Sequence, residues 1–147
     1  MAGSKKDAFE TDILALIFNN TTISGIGDAT GLRGSSTAGS LYVALYTSAP
    51  TDSVAGTEAN YTSYARVAVA RTSSGWTVAS GACSNTAAIT FPQCTGGTQT
   101  IVAFAICKGG TTGTNDQIYW GDLTSSLAVS SGITPEFAVG DLDITED

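Results

Sequence analysis

The sequence predicts an all-β fold: an antiparallel two-sheet sandwich, jelly-roll-like, with one short N-terminal helix. Three observations predict it. From residue 41 onward, short apolar or alternating runs recur, each closed by Gly, Pro, Asn, Asp or Ser. The composition holds 22 Thr, 16 Ser and 17 Gly against only 13% charged residues, a mixture that suits pleated surfaces and frequent turns. Strong helical periodicity occurs once, before residue 20.

The helix is expected over residues 4–18. Ser4 is placed to cap it and Asp7 favours its positive N-terminal dipole. Phe9, Ile13, Leu16 and Ile17 recur on one helical face, and Asn19 and Asn20 make a stop. Residues 19–40 follow as an extended Gly/Ser/Thr segment. A connector of that length in a compact domain signals a binding loop or disorder, and it is the leading candidate for a contact arm. Its glycines at 25, 27 and 31 lack the preceding strand and the Gly-Lys-Ser/Thr ending of a phosphate loop.

The sandwich is expected over 41–147, so that residues 1–147 form a single domain. Leu41–Thr47 is the first strand, ended by the turn residues Ser48 to Asp52. Strands follow around Ala65–Val69, Gly75–Val78 and Thr86–Phe91. Thr100–Cys107 is a near-continuous apolar run, the signature of a central strand. Gly109–Asp116 reads as a hairpin-like loop. Gln117–Trp120, Leu123–Val129, Glu136–Val139 and Leu142–Ile144 complete the count.

Composition also narrows the chemistry. There is no histidine, so Ser-His-Asp and Cys-His catalysis and His-containing zinc sites are excluded. The net charge is −7 with no basic stripe, which disfavours nucleic acid as a partner. No apolar run is long enough for a membrane span, and the first residues do not read as a secretory signal. Cys83, Cys94 and Cys107 match no metal or redox spacing and are expected to be small buried hydrophobes. The acids are spread along the chain apart from the terminal group. There Asp141, Asp143 and Thr145 alternate with Leu142 and Ile144, which reads as a solvated strand face in preference to a calcium site. The aromatics Tyr42, Tyr46, Tyr61, Tyr64, Trp76, Tyr119 and Trp120 are expected in the core and at subunit interfaces, with a sugar platform as the lesser reading. No catalytic residue, metal ligand or cofactor is expected, and the protein reads as a non-enzyme.

The strand motifs in their order suggest a family. Tyr42-Val43-Ala44-Leu45-Tyr46-Thr47 is followed by Tyr64-Ala65-Arg66-Val67, then by Ser84 to Pro92 with Thr86-Ala87-Ala88-Ile89-Thr90-Phe91 within it. Phe104-Ala105-Ile106, Tyr119-Trp120-Gly121-Asp122-Leu123 and Phe137 to Leu142 complete the series. Over most of residues 4–147 this resembles small virion proteins of tailed bacteriophages that begin with a short helix. Many are labelled tail fibre proteins, and some look like capsid cement proteins of jelly-roll-like fold. The resemblance implies a structural protein on the capsid surface, made in the bacterial host cytoplasm, that bridges major capsid subunits. The alternative is a tail fibre or other tail component, and a glycan-binding module ranks last. The implied partners are the major capsid protein and a second copy of the chain, as a homodimer with a trimer as the variant. Repeated modest contacts would supply avidity, and binding only the assembled shell would stabilise it by mass action. The candidate interface residues are Phe9, Ile13, Ile17, Ile23, Ile26, Leu32, Arg33 and Tyr61. The candidate contact loops are residues 19–40, 48–63 and 109–116.

Overall fold

A computed structural model describes residues 5–27 and 30–146. It contains one helix, α1 (Asp7–Asn19), and ten strands. In chain order these are β1 (Ser40–Ser48), β2 (Thr57–Glu58), β3 (Val67–Ala70), β4 (Trp76–Ala79), β5 (Ala82–Asn85), β6 (Ile89–Thr90), β7 (Thr98–Cys107), β8 (Gln117–Ser130), β9 (Glu136–Phe137) and β10 (Asp143–Thr145). The pairs β1/β2, β1/β7, β4/β5, β5/β10 and β7/β8 are antiparallel, and the sheets are open paths with edges. The fold is therefore all-β with one short N-terminal helix, as the sequence predicts. The chain divides into two compact units.

The first unit comprises Met1–Ser40, Ala70–Ala88 and Phe137–Asp147. Its sheet has the order β10-β5-β4. Opposed pairs such as Trp76↔Asn85, Val78↔Cys83 and Ile144↔Cys83 place one set of side chains on a common face. Trp76, Cys83, Asn85 and Ile144 are buried, whereas Thr77, Ala79, Asp143 and Thr145 on the opposite face are exposed. Helix α1 packs on this sheet through Leu14 and Phe18, both fully buried, and the Phe18 ring meets Trp76 edge-on at 4.8 Å. The helix presents a different stripe from the expected one. Leu14 and Phe18 (spaced i, i+4) are innermost, Ile13, Leu16 and Ile17 are half-buried, and Phe9 is exposed. The expected cap at Ser4 lies outside the described residues. The residue preceding the first helical turn is Lys6, whose side chain makes no capping bond.

Strands β4 and β5 are joined by Ser80-Gly81, both at positive φ, the two-residue turn whose twist matches the strands. Asn85 is buried and fully used. Its amide nitrogen donates to the carbonyls of Ala87 and Ala138 at 2.8 Å each, and its oxygen accepts from the Leu142 backbone at 3.0 Å. That single side chain shapes the turn leading into β10. Leu142 and Ile144 are buried while Asp141 and Asp143 face solvent, the alternation expected of the terminal segment.

The second unit comprises Leu41–Val69 and Ile89–Glu136. Its five-stranded sheet runs β2-β1-β7-β8, with β3 also on β1. The short pair β6-β9 lies at the ends of the segment 89–136. The central pair β1/β7 is buried on both faces. Val43, Leu45, Phe104 and Ile106 fill one side, and Ala44, Tyr46, Ala103, Ala105 and Cys107 the other. Burial on both faces is why residues 100–107 read as a continuous apolar run. No helix among the described residues is long and apolar enough to cross a membrane.

Candidate functional site

Two loop systems and one strand edge are the candidate contact features of these units. In the first unit, residues 19–40 contain one small antiparallel bridge, Ile23↔Leu32, closed by reciprocal backbone bonds of 2.8 and 2.9 Å. The neck is tied by side chains. Asn20 brackets Ser35, its amide nitrogen donating to the Ser35 carbonyl at 2.8 Å and its oxygen accepting from the Ser35 N–H at 2.7 Å. Asn20 adopts the left-handed conformation that ends α1. Arg71 then joins helix end to loop. It donates to the carbonyls of Ile17 at 2.7 Å and Leu16 at 2.8 Å, among the last carbonyls of α1, which have no partner within the helix. The same guanidinium reaches Ala38 O at 3.3 Å. The segment is thus pinned at its base, while Ile26, Leu32 and Arg33 are exposed towards its tip.

In the second unit, Arg66 organises the loops on either side of it. Its side chain is fully buried and forks onto Glu58, with Nε at 2.8 Å from Oε1 and Nη2 at 3.0 Å from Oε2. Nη1 donates to Asp116 Oδ1 at 2.8 Å and to Gly109 O at 2.7 Å, and Nη2 reaches Thr114 O at 3.1 Å. The acids are used in turn. Asp116 accepts from Gly109 N and Glu58 from Gly113 N, and the Tyr64 hydroxyl donates to Glu58 while accepting from Leu45 N. Burial in this fully bonded form is what makes a buried charge tolerable. Burial opposes ionisation of both Arg66 and Asp116, but the hydrogen bonds of Arg66 to Glu58 and Asp116, and those of Asp116 to Arg66, Thr114 and Gly109, outweigh it. They hold Arg66 above its ordinary value and Asp116 below its own. The loops 109–116 and 48–63, two separate contact candidates in the sequence, are thereby locked to one another through Glu58 and Arg66.

The third feature is β8, an edge strand of 14 residues whose only neighbour in the sheet, among the described residues, is β7. Ile118, Trp120 and Leu127 on it are 37%, 42% and 37% exposed. The register on β7 slips between Ile101 and Ala103, where residues 123–126 are out of step.

The sequence-derived interface residues separate on the structure. Phe9, Ile26, Leu32 and Arg33 are exposed, and Ile13 and Ile17 are half-buried. Ile23 and Tyr61 are buried and do not present a surface. Tyr61 is a core residue of the second unit. Its hydroxyl donates to Pro92 O at 2.9 Å, its ring meets Tyr64 edge-on at 5.2 Å, and its N–H is held by Gln99. Arg66, Glu58 and Asp116 escaped sequence reasoning. Alternation set Arg66 on the face of Tyr64 and Ala68, away from Val67 and Val69, and the acids lie 8 and 50 residues away in sequence.

The cysteines are free and buried, and burial pushes the Cys83 and Cys107 thiols up to about 12, far from a reactive thiolate. Among the described residues, no group of three or more His, Cys, Asp or Glu is arranged to hold a metal ion. A shallow hollow of about 90 Å³ lies over Thr77, Ala82, Ser84 and Asp143 on the exposed face of the three-stranded sheet.

In comparison with known proteins, the family model described as podophage GP4 fiber I protein gp80 matches residues 7–145. No curated protein matches the chain.

Proposed function

The chain belongs to the podophage GP4 fiber I protein gp80 family and is a structural protein of the phage virion, and from that premise we propose that it is a fibre-type component held among other virion polypeptides and carries out no catalysis. The family match across residues 7–145 carries this reading. The geometry supports it. Contact loops on a rigid scaffold suit a part that must be held in one orientation, and the Arg66 network and the Arg71 neck supply that rigidity. A surface in which hydroxyls outnumber charges loses little when it is desolvated against protein.

A second reading, a cement protein that bridges major capsid subunits on the capsid surface, is favoured by these 147 residues showing no repeat of the kind that builds long fibre shafts. Copy number separates the two. Quantitative mass spectrometry of purified particles should give a small multiple of the tail symmetry for a fibre component. A number comparable with that of the capsid subunit would transfer the assignment to cement. Absence from purified particles would end both.

A further inference from the structure

The geometry points to β8 as a self-association edge: two copies of the chain pair antiparallel, β8 against β8, and continue the five-stranded sheet across a two-fold axis. The inference deepens the virion structural reading, on which its purpose rests, by naming the surface and its occupant.

The two edges of the five-stranded sheet differ. Beyond β1, the edge is broken into β2, of two residues, and β3, of four. Short interrupted strands are how natural sheets protect an edge. The β8 edge runs for 14 residues, with breaks in register at Ile118 and at residues 123–126, and no strand pairs with its outer side among the described residues. An edge presents a row of backbone donors and acceptors that templates another strand. Of the usual deterrents, β8 carries only its breaks in register. It holds no proline and no lysine, and Asp122 is its one charged residue. Its exposed side chains include Ile118, Trp120 and Leu127, which a paired strand would cover.

Edge length selects the occupant. A head-to-tail contact would set β8 against the two- and four-residue strands of the opposite edge, leaving most of its length without a partner. Only a second β8 matches it in length, and a two-fold contact uses the same patch on both copies. Charge agrees. The chain has 13 acidic and 6 basic residues, so like copies repel in general. A strand with one acid is a place where two such copies approach at low cost.

Sedimentation velocity of the full chain across the micromolar range tests the inference. A concentration-dependent dimer is expected. The double substitution Ile118→Lys with Trp120→Lys should weaken it by about tenfold or more, since edge lysines oppose pairing. Thr57→Lys on the blunted edge should leave it unchanged. Hydrogen exchange of the unsubstituted protein supplies a second readout that needs no variant, because amides in residues 117–130 should gain protection as concentration rises. A monomer throughout, or exchange in 117–130 indifferent to concentration, overturns the inference. So does protection of β8 that appears only when another virion protein is added. A monomeric chain still present in particles would remove this contact and leave the virion role standing, so the two failures are distinguishable.

Discussion

Arg66 shows how much one side chain can hold. Its guanidinium bonds Glu58, Asp116, Gly109 and Thr114 while fully buried, so replacing it strands two acids rather than deleting one bond. Arg66→Ala should destabilise the second unit by about 3–5 kcal/mol, measured by urea unfolding, because an uncompensated buried charge remains. The pH dependence follows from Asp116. Its folded pKa lies below the ordinary value of 3.8, so its contribution to stability is complete above that value and is lost as pH falls through the depressed one. Melting temperature should therefore drop below about pH 4, and Asp116→Asn should flatten that acid dependence while lowering stability at neutral pH. Gly121 is a second decisive residue. A Cβ there would lie 3.0 Å from the Phe104 ring, so Gly121→Ala should cost about 1–3 kcal/mol through overpacking, read in the same unfolding experiment. The sequence carried no sign of either role. Arg66 stands in an alternating run and Gly121 looks like a strand break, and in each case the deciding neighbour is distant in the chain.

At the scale of elements, the long apolar strand was the most legible. Residues 100–107 announce a central strand, and β7 does lie between β1 and β8. Element limits were less legible where side chains are small. Ala82-Cys83-Ser84-Asn85 forms β5 without a β-branched residue, held by neighbours on both sides, whereas Thr86–Phe91 keeps only Ile89–Thr90 as strand. The expected strands at 117–120 and 123–129 are one strand, because Gly121 gives room for Phe104 instead of ending the ladder. Helix α1 is anchored by Phe18 against Trp76. Phe18→Ala should cost about 3–5 kcal/mol and weaken the near-ultraviolet dichroism of the indole it touches.

For the whole molecule, the question is which surface the particle uses. Ile26 and Leu32 are exposed beyond the pinned neck of the 19–40 loop, so they can be changed without touching the core. The pair Ile26→Ser and Leu32→Ser should alter stability by no more than about 0.5 kcal/mol. If this loop is a contact, the same pair should lower incorporation into particles, measured by mass spectrometry of virions assembled with the variant. By itself the sequence determined the all-β class, the single N-terminal helix, the central strand and the phage virion family, since these rest on composition, local periodicity and motif order. The tertiary structure decided which stripe of α1 is innermost, that Ile23 and Tyr61 are core residues, that Arg66 locks two loops together, and that β8 is a long open edge. Each of those depends on groups far apart in the chain meeting in space, and pairing across that distance leaves no periodic trace in either partner.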